Sequence, residues 1–234
     1  MHSTGRAGRK GQSRTASFSW SKLKMPVPES WIPTVAEFVR GYTAFQRHEH
    51  RDAMYKVASF LVEHFWDKPK EIADALGVLL LTWNQALYRY GLFSFHRLER
   101  CIERNKILLA HFRERDILSF QLADQKAIGK LFGEFLEALQ ITEGVKRGVK
   151  SPVATAKVLH LLAPHFFPLW DDKIAKGYKC NYTNDPAAKY LAFYSKTLAI
   201  ARFIASQKTP LPVGKSLLKL IDEFNYSKYT KKWT

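Results

Sequence analysis

The chain has 234 residues with a formal net charge of +16, from 37 Lys plus Arg against 21 Asp plus Glu. An apolar fraction of 46% and an aromatic fraction of 14% exclude a wholly unfolded chain. The longest apolar run, Gly77 to Trp83, is far too short to span a bilayer, and the polar N-terminus carries no secretory core, so an intracellular protein, cytoplasmic or in the nucleoid or nucleus, is expected.

Residues 1–25 read as a basic flexible arm. Arg6, Arg9, Lys10, Arg14, Lys22 and Lys24 stand there without an acid, and too little apolar surface accompanies them to order the segment. Residues 26–234 read as one all-α domain or two close lobes. Thr34–Arg47 places Val35, Phe38, Val39, Tyr42 and Phe45 on one helical face, and Asp52–Trp66 repeats the spacing with Met54, Val57, Phe60, Leu61 and Phe65. Pro69 opens a long helix, apolar nearly all round, that continues through Trp83 and Leu87 to Gly91. Phe95–Phe112 and Asp124–Leu139 are amphipathic helices. No run has the alternation of a strand, and no repeat period appears.

The stretch Gly144 to Tyr178 organises the rest. Gly144–Lys150 is a short basic turn. Ser151 and Pro152 form a helix start, as N-cap and first helical residue, and the helix runs to Pro164. After a tight connection, Asp171 opens another helix, with Asp172 in its first turn where the helix dipole favours negative charge. Pro186–Ser206 and Val213–Phe224 complete about nine helices, and Lys228–Thr234 is a basic tail.

The charge excess predicts attraction to polyanions, most often nucleic acid, or to an anionic membrane face. Gly144, Lys146, Arg147, Gly148, Lys150 and Ser151 combine cations with a helix start whose free N–H groups suit phosphate. Trp83, Asn84, Tyr88, Arg89 and Trp170 are a mixture that could line a base pocket, with aromatics to stack a base and Asn to read its edge. Cys101 and Cys180 are expected to be free thiols. No Cys/His spacing suggests a metal, no cofactor is indicated, and His160 and His165 read as structural.

The connection Phe167-Pro-Leu-Trp-Asp-Asp-Lys-Ile-Ala-Lys resembles the Phe-Pro-x-x-Asp-x-x-Val-x-Arg segment of the helix-hairpin-helix (HhH-GPD) DNA glycosylase superfamily. It is closest in form to the adenine glycosylases and similar to 8-oxoguanine-glycosylase-like members. Gly148-Val-Lys-Ser-Pro-Val-Ala occupies the place of the family's second hairpin helix. The resemblance implies that Asp171 is the catalytic aspartate, acting on duplex DNA to remove a damaged or mispaired base. Three departures accompany it. Lys150 stands where the family has its second hairpin glycine. The family's Schiff-base lysine should fall near Pro152, where no lysine stands, which implies a monofunctional enzyme and leaves Lys150 and Lys157, which lie near, as weaker catalytic candidates. The four-cysteine iron–sulfur loop is absent. Two further readings stay open: a non-catalytic nucleic-acid-binding module on the same scaffold, and an interaction protein whose basic tails bind an acidic partner.

Overall fold

A computed structural model describes residues 31–208 and 210–234; the basic arm expected at 1–25 lies outside the described residues. They form an all-α fold: α1 (Val35–His48), α2 (Ala53–His64), α3 (Pro69–Trp83), α4 (Gln85–Tyr88), α5 (Phe95–Arg113), α6 (Asp124–Ala138), α7 (Pro152–Leu162), α8 (Asp172–Gly177), α9 (Pro186–Ser206) and α10 (Leu217–Asn225).

Local chemistry sets most helix starts. Thr34 and Glu37 form a reciprocal capping box on α1. Ser94, Ser151, Asp171, Asp185 and Ser216 each accept from a backbone N–H in the first turn of the helix they precede. The helices pack in the pairs α1 on α10, α2 on α3, α3 on α5, α5 on α6, and α6 on both α7 and α9. One continuous core runs through them. α7 is deeply set in it, buried at Ala154, Thr155, Ala156, Val158, Leu159, His160, Leu161 and Leu162.

Two expectations are corrected, and the basic tail takes a defined form. The long helix from Pro69 stops at Trp83, because Asn84 leaves helical geometry at φ −117°, ψ 35°, before the single turn of α4. Two short strands exist where none was expected. β1 (Gly91–Phe93) pairs antiparallel with β2 (Ile141–Gly144), with Gly91 opposite Gly144. The expected basic tail is ordered over Tyr226–Lys231 as a π-helical turn against α8 and α1. No helix among the described residues is long and apolar enough to cross a membrane.

Candidate active site and its basic surroundings

The basic turn is a hairpin stitched to its neighbours. Gly144 and Gly148 take left-handed φ values of 85° and 89°, which glycine adopts freely. The amide of Val145 donates to Tyr90 O, Arg147 to Gly144 O, Gly148 to Ile141 O and Val149 to Lys146 O. These four donors are therefore engaged by protein carbonyls. Lys146 Nζ donates to Ala86 O at 2.6 Å, and Lys150 Nζ lies 2.5 Å from Glu137 Oε1. Arg147, exposed, makes no side-chain hydrogen bond or ion pair among the described residues. Ser151 Oγ accepts from Ala154 N and from Asn84 Nδ2, at 3.1 and 3.4 Å.

The expected base-pocket residues separate. Trp83 and Asn84 meet at the α3–α4 break. Tyr88 is in the core, its hydroxyl donating to Leu139 O. Arg89 is exposed beside Tyr90. Trp170 is 1% exposed and packs among Phe132, Tyr182, Tyr190 and Phe193, with its indole N–H unpartnered. Two apolar grooves of about 350 and 240 Å³ run between α2 and α3, and neither is lined by Asp171 or Lys157.

What joins Trp83 and Asn84 is Lys157. Lys157 is half-buried, because no residue of α7 is exposed. Its Nζ donates to Asn84 Oδ1 at 2.5 Å and Trp83 O at 3.1 Å, and lies 4.5 Å from the Trp83 ring centre. Burial pushes its pKa down to about 8, against the pull of the Asp171 and Asp222 carboxylates. The signal was in the sequence. A lysine inside Pro-Val-Ala-Thr-Ala-Lys-Val-Leu-His-Leu-Leu has apolar packing residues on both sides.

Asp171 is half-buried at the start of α8. Its Oδ1 accepts from Ile174 N at 2.7 Å, and its Oδ2 accepts from Thr230 Oγ1 at 2.9 Å. Asp172 turns outward to Lys176 and Tyr182. A second acid, Asp222 on α10, is close enough to feel Asp171 and to act on Lys157. Burial, with repulsion from Asp171, Glu223 and Asp52, pushes its pKa up to about 6 despite Lys219 at 3.6 Å. Sequence reading missed Asp222 and Thr230.

Within α7, His160 donates from Nδ1 to Phe167 O at 2.7 Å, which leaves Nε2 to accept from Tyr55 O–H at 3.0 Å. Burial lowers its pKa to about 3, so it is a neutral structural link that holds the Phe167 carbonyl, at the head of the segment leading to Asp171. No group of His, Cys, Asp and Glu able to hold a metal ion occurs among the described residues. No protein-family profile, curated protein or solved structure matches the chain.

Proposed function

We propose that the protein is a DNA glycosylase-like enzyme that hydrolyses the bond between a damaged or mispaired base and its sugar in duplex DNA. The observation that carries this reading is the placing of the Asp171 carboxylate, half-buried at the start of α8 immediately after the Phe-Pro-Leu-Trp segment. Base removal builds positive charge on the sugar. A fixed carboxylate can stabilise that charge and orient the attacking water, as in glycoside hydrolysis. The net charge of +16 supports a polyanionic substrate.

A second reading has an observation of its own. Thr230 donates to Asp171 Oδ2 while α8 takes Oδ1, so both oxygens already serve the fold. That arrangement favours a non-catalytic nucleic-acid-binding module on the same scaffold. Incubation with a panel of damaged-base and mismatched duplexes, scored for abasic sites, separates the two. The enzyme releases a base and Asp171→Asn does not; the module binds every duplex and releases none. Because no lysine occupies the Schiff-base position of the resembled family, borohydride traps little covalent complex. Strong trapping that Lys157→Met abolishes would replace the monofunctional reading by a lysine-based one.

A further inference from the structure

We infer that the turn Tyr226–Lys231 and the following Lys232, together with the lysines of and just after α8, form the surface that grips the nucleic-acid backbone beside Asp171. The inference rests on the nucleic-acid reading above and assigns the gripping surface to a region other than the hairpin.

The first argument is position. Thr230 reaches Asp171, and Lys173 Nζ on α8 donates to Thr230 O at 3.2 Å. The Tyr229 ring lies over Gly177, where an added Cβ would come 2.4 Å from its Cδ1. The lysine-bearing turn is therefore seated directly on the helix that Asp171 caps.

The second argument is charge. Residues 226–234 contain Lys228, Lys231 and Lys232 and no acid. Lys173, Lys176, Lys179, Lys231 and Lys232 are exposed. Of the six, only Lys176 pairs with a carboxylate among the described residues, with Asp172 at 2.6 Å. Lys228 and Lys231 instead lie beside aromatic rings, Lys228 5.4 Å from Phe224 and Lys231 5.7 Å from Tyr226, without an ion pair among the described residues. In the hairpin, Lys150 is neutralised by Glu137 and Lys146 is held by a carbonyl.

The third argument is preorganisation. The turn is π-helical, and Lys232 closes it in left-handed geometry at φ 55°. Trp233 N donates back to Ser227 O at 2.9 Å, and the Trp233 ring stacks on His48 at 4.5 Å between centres. The backbone that carries its cations is thus held in place before a ligand arrives, which reduces the ordering cost of binding. None of the exposed large apolar side chains falls in residues 171–182 or 226–234, so the surface lacks the apolar insertion that a membrane interface uses.

The test uses the full chain and a labelled duplex, with affinity measured across salt concentrations. Each phosphate contact contributes about 0.9 to the slope of log K against log salt. Lys228→Ala/Lys231→Ala/Lys232→Ala should reduce the slope by about 2 to 3 and weaken binding tenfold or more near 0.1 M salt. Lys146→Ala/Arg147→Ala/Lys150→Ala should change it by about 1 or less, because only Arg147 is uncommitted. Lys179→Ala with Lys232→Gly, which leaves every aromatic contact intact, should shift the slope in the same direction. A wild-type slope in the first triple variant, with duplex binding intact, overturns the assignment and leaves the nucleic-acid reading standing. No duplex binding by the wild type at low salt overturns both. Displacement of the duplex by a polyglutamate peptide at equal charge concentration would assign the surface to an acidic protein partner instead.

Discussion

The amine of Lys157 sits 2.5 Å from Asn84 Oδ1, and the same Asn84 donates from Nδ2 to Ser151 Oγ. One side chain at a break between two helices thus ties down both the cap of α7 and the amine two turns further along it. Asn suits the position. It is a poor helix former, and its amide offers an acceptor and donors at once.

This arrangement makes a pH-dependent prediction. Lys157 has a folded pKa of about 8, lowered from 10.5 by burial. Between these values the unfolded chain holds the proton and the folded chain has released it. Stability from this group therefore rises as pH increases through that window, and the cost of burying the charge is fully present below it. Melting temperatures of the wild type and Lys157→Met, measured from pH 7 to 10.5, should show the wild type gaining a few degrees on the variant above pH 8, on the order expected for about 1 kcal/mol in a chain of this size. Parallel curves would mean that the amine is not desolvated.

Asp171→Asn retains capping, since Asn caps about as well as Asp through its amide oxygen; the amide nitrogen then faces Thr230, whose hydroxyl turns to accept from it. Fold and duplex affinity should stay near those of the wild type. Base release should fall by about two to three orders of magnitude, the effect of losing one electrostatic stabiliser worth roughly 3–4 kcal/mol. Asp172→Asn, which loses only surface contacts with Lys176 and Tyr182, is the control and should change the rate less than about twofold. Equal rates for both variants would leave Asp171 as a cap alone.

The two hairpin glycines should behave differently. A Cβ on Gly144 would come 2.3 Å from Tyr90 O at φ 85°, so Gly144→Ala must disrupt the β1–β2 pairing. A loss of more than about 2 kcal/mol in denaturant unfolding is expected, since a backbone clash adds to the unfavourable φ. Gly148 has the same hand of φ but nothing within 4 Å of its Cβ position. Gly148→Ala should cost only the conformational strain, about 1 kcal/mol. A duplex-binding defect in Gly148→Ala larger than its stability loss would point to a ligand approaching the backbone there.

Much of this architecture was legible in the residues. Helical spacing located α1, α2, α5, α6 and α9, and Ser151-Pro152 and Asp171 marked their helix starts because capping is local chemistry. The strands were hidden because three or four residues such as Gly91-Leu-Phe hold too little alternation, and their pairing depends on a partner fifty residues away, as in the Thr142–Leu92 hydrogen bond. Asn84 looked like an interior residue of one apolar helix until its partners on α7 were visible. The site was half legible. Asp171 announced itself through the segment before it, whereas Thr230 and Asp222 approach it only by tertiary packing from residues that read as a tail and an amphipathic helix. The burial of Lys157 runs against the general preference of lysine for solvent, and only its apolar neighbours in sequence hint at it.

His160 carries a consequence at acid pH. Its folded pKa, lowered by burial to about 3, lies below the ordinary value of 6.5. Between these values the unfolded chain binds a proton that the folded chain refuses, so stability drains away as pH falls from about 6.5 towards 3. His160→Gln, with a side-chain amide in place of the ring, should lose melting temperature at pH 7 through altered packing and hydrogen bonding. It should nevertheless show a shallower decline between pH 6.5 and 4 than the wild type. An equally steep decline would place the acid sensitivity in other groups.

Asp222 runs in the opposite direction. Its side chain is 14% exposed, and its nearest cation, Lys219 at 3.6 Å, stands closer to Asp52 at 2.9 Å. Burial raises its folded pKa to about 6, with help from Asp171, Glu223 and Asp52. A raised carboxyl pKa means that the folded chain holds the proton between 3.8 and 6 while the unfolded chain has lost it. Stability from this group therefore falls as pH rises through that window, and the cost persists above it. Asp222→Asn removes the cost. Lys219 keeps Asp52 and Glu223, so the amine is not stranded. Relative to the wild type, the variant should be no more stable at pH 4 and should gain about 2 to 4 °C by pH 7, the shift expected for roughly 1 kcal/mol at this chain length. The same substitution removes one of the two carboxylates that hold the proton on Lys157, so the Lys157 pKa should fall further below 8, a change that side-chain nitrogen NMR reads directly. A rise in stability without movement of the Lys157 titration would show that Asp222 is merely a buried acid. Movement of both would show that α7 and α10 couple Lys157 and Asp222 electrostatically.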